Sequence, residues 1–236
     1  MKKFFLFLLL IIAATLTAIY LYLDILAKDA IEKYGSKSLG VSVKVSSVSI
    51  DLIKGQYKIK GLTIANPNGF TSPNLFEISE VDTKIDYRTL FEDVFHIYFI
   101  KIENPKIFYE IGSKGDNVKV LREVSKASSA SQTQETKEKR IIIEKFFFNK
   151  AEVTTSIQKV GAKSITIPDI YIQNIGKDKN GITVQNASDQ ILRELTKVIS
   201  HVNLKGLLDD LINPDKVDNL KSKVEGEVNK FLNGLK

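Results

Sequence analysis

"FIKIENPKIFYEI", residues 99–111, carries apolar side chains at alternate positions, breaks at Asn104-Pro105, and then alternates again. A period of two marks a strand with one apolar face. The same design stands at "YKIKGLTIA" (57–65) and at "FFFNKAEVTTSI" (146–157). Superposed, the three stretches bring Ile59, Ile102 and Phe148 together, and five residues later Ile64, Ile107 and Val153. Three copies of strand, kink and strand predict a single curved apolar surface in which each unit needs its neighbours.

The flanking sequence extends the pattern. In "VSVKVSSVSIDL" (41–52), Val41, Val43 and Val45 share a face, and Val48, Ile50 and Leu52 resume the series after Ser46-Ser47. That one-residue slip predicts a β-bulge, since otherwise the apolar set would change faces. Lys54-Gly55 supplies a hairpin turn. "NPNGFTSPN" (66–74) reads as a plain turn rather than a ligand loop, because Pro67 and Pro73 lack a ladder donor and Asn68-Gly69 favours positive φ. "LFEISEVDTKIDY" (75–87) is a further strand with a slip at Ser79-Glu80, and "RTLFED" (88–93) suits one helical turn. Residues 94–112 form either one long strand kinked at Pro105 or two paired strands. "DNVKVLREVSK" (116–126) suits a short helix. Residues 125–140 are small, polar and charged, which predicts an exposed linker. "KSITIPDIYIQNIG" (163–176) sets Ile165, Ile167, Ile170 and Ile172 around Pro168.

Both ends read as helix. After Lys2-Lys3, residues 4–23 carry no charge. At ~1.5 Å per residue they span about the ~30 Å of a hydrocarbon core, which predicts a transmembrane anchor over 1–27 and a helical stalk over 28–40. A cleaved signal peptide is the alternative, but Leu16, Thr17, Ala18, Ile19 and Tyr20 make a poor small-x-small site. Tyr20 and Tyr22 stand where an aromatic belt belongs, and the basic start places the N-terminus in the cytoplasm. Either reading exports the body. Over 24–39, Ile25, Leu26, Ala30, Ile31 and Tyr34 keep a helical rhythm on one side, which continues the anchor helix into the stalk. The β domain is expected over 41–186 and amphipathic helices over 187–236. There Ser188 is the expected cap, with Ile191, Leu192, Leu195, Val198, Ile199 and Val202 on one face. This segment either packs across the sheet or lies on a membrane, and its broad apolar face favours packing. Val217, Leu220, Val224, Val228 and Phe231 continue the spacing in 215–235. The expected fold is mainly β with terminal α-helices: an N-terminal transmembrane helix, a curved antiparallel, groove-like sheet with one apolar face, and C-terminal amphipathic helices.

Little in the chain supports chemistry. With 43% apolar and 26% charged residues over 236 positions, it is a folded domain rather than a disordered one. The net charge of +6 is spread along alternating signs, so nucleic acid is not an expected partner. A mild Lys excess suits anionic headgroups. The absence of Cys removes disulfides, thiol nucleophiles and Cys zinc sites. His96 and His201 have no second His or spaced carboxylate to make a metal set. Asp82, Asp86 and Glu92-Asp93 sit at strand and turn positions facing away from the apolar series, so a solvated face is expected rather than an acid–base pair. No nucleophile elbow, phosphate loop or H-E-x-x-H occurs. No enzyme activity, cofactor or metal is expected.

The anchor, the "G-L-x-I-x-N-P" formed by Gly61, Leu62, Ile64, Asn66 and Pro67, and the "I-x-I-x-x-P-x-I" formed by Ile100, Ile102, Pro105 and Ile107 resemble the AsmA-like family of bacterial envelope proteins. "IPDIYIQNIG" followed by a helix is similar to the end of its small members, so the resemblance covers about residues 1 to 205. It implies a single-pass inner-membrane protein, N-terminus cytoplasmic and bulk periplasmic, whose groove-shaped sheet is related in architecture to bridge-like lipid-transfer proteins. Lipid transport, outer-membrane biogenesis and envelope homeostasis are the processes implied. The residues expected to line the groove are Val43, Val45, Ile50, Ile59, Ile64, Ile102, Ile107, Phe146, Phe148, Val153 and Ile167. The expected partners are the inner membrane, phospholipid, and an envelope protein or a second copy. Eight to ten strands side by side would make a sheet about 40–50 Å long, too short to cross the periplasm alone. The alternative is a non-transporting structural or assembly factor whose groove is filled by its own C-terminal helix.

Overall fold

A computed structural model describes residues 2–112, 115–129, 139–157 and 161–201; the side chains at 2, 16, 18–21, 129, 196 and 199–201 lie outside the description. Eleven strands form one mixed, open sheet: β1 (Val43–Lys44), β2 (Ser47–Asp51), β3 (Gln56–Ala65), β4 (Asn74–Ile85), β5 (Val94–Gly112), β6 (Gly115–Asp116), β7 (Arg140–Asn149), β8 (Ala151–Ile157), β9 (Gly161–Ile167), β10 (Ile170–Ile175) and β11 (Ile182–Thr183). The helices are α1 (Lys2–Leu39), α2 (Asn117–Ser129) and α3 (Val184–His201), with single 3₁₀ turns at Tyr87–Phe91 and Lys177–Lys179.

The strand order is β1-β3-β4-β5-β7-β10. β1 and β2 follow one another along β3, while β7 and β8 follow one another along β5. The short strands thus join end to end, and the sheet is six strands wide, about 24 Å, rather than eight to ten. β5 runs as one 19-residue strand. It pairs in parallel with β7 and β8, so the expected antiparallel sheet is in fact mixed. The physical reason is α2: a crossover helix between β5 and β7 lets the chain re-enter in the same direction.

The three superposed stretches become neighbours. One row of paired residues reads Val48, Ile59, Val81, Ile102, Phe148, Ile170. A second reads Val43, Ile64, Phe76, Ile107, Val153, Ile165. Between these rows each strand advances five residues, where four would keep the side chains on one face. One extra residue on every strand restores the face, and because all strands take it in step the pairing keeps one register across the interval. This is a shared kink rather than the expected β-bulge, and the register shifts lie instead at Ile64/Ala65 and Lys84/Ile85. On β3, β5 and at the β7–β8 junction it is visible as positive φ at Gly61 (61°), Asn104 (49°) and Lys150 (53°). A Cβ on Gly61 would lie 2.2 Å from Ser46 Oγ and 2.9 Å from Ser46 Cβ. Gly61→Ala is therefore expected to cost at least about 1–2 kcal/mol, from left-handed strain plus that clash, read as a lower urea midpoint.

The β1–β2 edge is closed by a helix instead of a strand. Asp24, Lys28, Glu32 and Ser36, four apart along α1, face it. The Ile50, Val45 and Val43 N–H groups donate to Asp24 Oδ1, Glu32 Oε1 and Ser36 Oγ, each at 2.8 Å. Lys28 Nζ donates to Ser46 O at 3.3 Å. Four helical residues rise ~6 Å and two strand residues ~6.7 Å, so one stripe keeps step with the outward amides. The expected apolar rhythm over 24–39 is therefore not the buried side: Ile25, Leu26 and Tyr34 are exposed. Unpaired edge amides need acceptors, and that need decides which way the helix faces.

Anchor and stalk are continuous in one 38-residue helix. Among the described residues no helix is long and apolar enough to cross a membrane. The expected span at 4–23 passes through 16 and 18–21, whose side chains lie outside the description.

At the other edge α3 begins at Val184, earlier than the expected cap. Thr183 Oγ1 accepts from the Asn186 N–H at 3.1 Å, whereas Ser188 Oγ donates back to Val184 O at 2.9 Å. Thr183, ending β11, already fills the cap position, so Ser188 falls inside the helix. α2 runs on to Ser129 and ties to α1 through Ser125 Oγ and Ser38 O at 3.1 Å, so the linker expected over 125–140 starts as helix. Its residues 130–138, Val202 and the 215–235 segment lie outside the described residues, as do the side chains of Ile199 and His201.

Candidate functional site

Nine of the eleven residues expected to line a groove fall in three apolar rows. Val43, Ile64, Ile107 and Val153 share one row, and Ile59, Ile102 and Phe148 the next. Ile50 and Phe146 belong to a third row with Tyr57, Thr83, Ile100 and Ile172. Val45 and Ile167 lie in the interval between rows where the strands kink.

Burial divides them. Val43, Val45, Phe146, Phe148, Val153 and Ile167 are buried, while Ile50, Ile59, Ile64, Ile102 and Ile107 are half-buried. The division follows the helices. Ala187, Ile191, Leu195 and Val198 of α3 pack on the core that holds Phe146, Phe148 and Ile170. Leu192, expected on the same face, is exposed instead. At the opposite edge α1 comes so close that a Cβ on Gly35 would lie 3.3 Å from Val43 Cγ1. Between the two helices, Phe76, Ile78 and Val81 on β4 join Ile59, Leu62 and Ile64 on β3 as a half-buried strip. The β4 residues were not in the expected lining, although their slip at Ser79-Glu80 stands at the same level as the breaks of the neighbouring strands.

The intervening positions carry charge. Lys58 Nζ lies 3.6 Å from Asp82 Oδ2 and 3.8 Å from Glu80 Oε1, and Lys101 Nζ lies 2.6 Å from Glu103 Oε1. Lys101 and the Asn149 amide hold the Glu103 carboxyl below its ordinary value. Asp82 is thus one member of an ion-pair ladder. Asp86 is not solvated as expected: Arg88 donates to both carboxylate oxygens at 2.8 and 2.7 Å, and Tyr98 Oη donates at 3.1 Å. A shallow opening of about 500 Å³ beside it is lined by Lys54, Lys84, Tyr98 and Lys145, but its acid is already taken by Arg88.

Arg88 holds Asp86 far below the usual carboxylate range, and the Val45 amide lowers Glu32. For depressed carboxyls, the stabilisation is complete above the unfolded value, about 4, and is lost as pH falls through the folded one. The urea midpoint is expected to drop as pH is lowered below about 4, and Asp86→Asn to flatten that drop while lowering the midpoint at neutral pH.

Two residues that sequence reasoning missed stand at the far end. Glu110, 1% exposed, accepts from the Thr71 N–H at 2.8 and 2.9 Å and from the Ser72 N–H at 3.0 Å. Asn117 accepts from the Glu110 N–H at 3.0 Å and donates to Asn66 Oδ1 and Phe108 O at 2.8 and 2.6 Å. Together they pin the "NPNGFTSPN" turn to β5. His96 lends its backbone to the 3₁₀ turn, its N–H donating to Thr89 Oγ1 at 2.9 Å. Among the described residues, no three His, Asp or Glu side chains converge as a metal set would. In comparison with known proteins, no family model matches the chain and no curated protein matches it.

Proposed function

We propose that this chain is a membrane-anchored, AsmA-like envelope protein whose periplasmic sheet forms a one-sided apolar groove that shields acyl chains during lipid handling. One observation carries the reading. The apolar rows run from edge to edge, but helices cover only their flanks among the described residues. Each strand takes its extra residue at the same level, and such kinks in line would crease the sheet into a trough along the rows. Such a trough, about 24 Å long, exceeds the ~15 Å depth of one leaflet, so a single chain fits along it. One copy is too short to bridge two membranes. Gly61 and Asn66, both in the family-like motif, have structural tasks at the kink and in the pinned turn, which supports the resemblance.

The packing of α3 favours a second reading, in which the chain's own helix occupies the trough and the protein is an assembly factor. Native mass spectrometry of the full chain released from membranes separates the two. Co-purified phospholipid mass supports the carrier. An empty protein, even after incubation with phospholipid, supports the assembly factor.

A further inference from the structure

We infer that the end of the sheet nearest the apolar half of α1 is a second membrane contact, docking onto the surface of the same bilayer that holds the anchor. The inference rests on the anchor reading of residues 4–23. α1 runs antiparallel to β1 and β2, with Ser36 beside Val43, Glu32 beside Val45 and Asp24 beside Ile50. Its uncharged run therefore leaves the sheet at the end where the chain turns at 52–55 and at Tyr87–Phe91.

Those two turns are neighbours. The Ile85 N–H donates to Gly55 O at 2.9 Å, and a Cβ on Gly55 would lie 3.7 Å from the Tyr87 ring. Each presents a large apolar side chain almost wholly to solvent: Ile53 is 87% exposed and Phe91 93%. Leu52 and Leu90 are exposed beside them. A lone exposed apolar residue means nothing, but two nearly bare ones on adjacent turn tips, at one end of the molecule, mark an interaction site.

The level is right for a bilayer. Ile53 lies three residues beyond Ile50, at most about 10 Å past Asp24. The helix covers that distance in about seven residues, which brings Ile53 level with the last two turns of the uncharged run. Ion pairs reduce the cost of approach: Lys54 lies 3.2 Å from Asp51 and Arg88 2.7 Å from Asp86. Exposed Glu92 and Asp93 limit the depth to the headgroup zone. Docking here would fix the tilt of the sheet and bring its apolar rows to the lipid.

The chain has no Cys, so single-cysteine variants carry one fluorophore each. Full-length Ile53→Cys, Phe91→Cys, Leu9→Cys and Ala162→Cys, labelled with an environment-sensitive dye, are reconstituted in phosphatidylethanolamine–phosphatidylglycerol vesicles containing spin-labelled lipid. Ala162 is exposed at the opposite end of the sheet. The expected result is a several-fold loss of emission at 9, 53 and 91 and none at 162. Quenching at 9 alone overturns the docking and leaves the anchor standing. Labels at 53 and 91 shielded from aqueous iodide but untouched by spin-labelled lipid mean a protein or second copy covers the rim, and also overturn it. No quenching at 9, 53 or 91 removes anchor and docking together.

Discussion

Replacing Phe148 by alanine is expected to lower the unfolding free energy by about 3–5 kcal/mol, the range for deleting a buried aromatic ring. The side chain is 7% exposed and sits in the row between Ile102 and Ile170, beneath the β7–β10 flank that α3 covers. No neighbour can collapse into the space, because the row spacing is fixed by backbone pairing on both sides. Ile64→Ala, in the half-buried strip on β3, is expected to cost well under half as much. Urea unfolding of both variants checks the pair. Equal losses would mean the strip is as closely covered as the flank, leaving no room for a ligand.

The second large effect is expected at Glu110. Its carboxylate accepts from two backbone amides of the 66–74 turn, and Glu110→Ala would leave them without that acceptor in a buried place. The expected loss is about 2–4 kcal/mol, with Glu110→Gln at about half, since an amide oxygen still accepts but without charge. Hydrogen exchange localises it: the Thr71 and Ser72 amides should lose more protection than the amides of β7, which fall only by the global loss. Uniform loss across the sheet would mean that Glu110 supports the whole core rather than the turn.

The rows were legible because equal spacing between apolar residues in different strands survives folding as register. Ile59, Ile102 and Phe148 superposed in sequence and stand in one row of the sheet. Strand direction was not legible, since alternation reads the same both ways, and the parallel β5–β7 pair appears only when α2 is known to be a crossover. Apolar periodicity also misled at α1, where the side that matters is the polar stripe of Asp24, Glu32 and Ser36 on the edge amides. Glu110 and Asn117 left no trace in any pattern, because a buried polar group is chosen by one local geometry rather than by a repeat. Thr183 took the cap from Ser188 for a similar reason, as the end of β11 set where the helix begins.

Ile102 and Lys101 are adjacent in sequence and belong to opposite faces of β5, which makes them the sharpest test of a one-sided lipid surface. A photoreactive amino acid placed at each position in turn, in the full chain in its native membrane, is irradiated and the adducts are weighed. The expected result is phospholipid captured at 102 and none at 101. Lipid captured equally at both positions, or at neither, would contradict a sheet that shelters acyl chains on its apolar side.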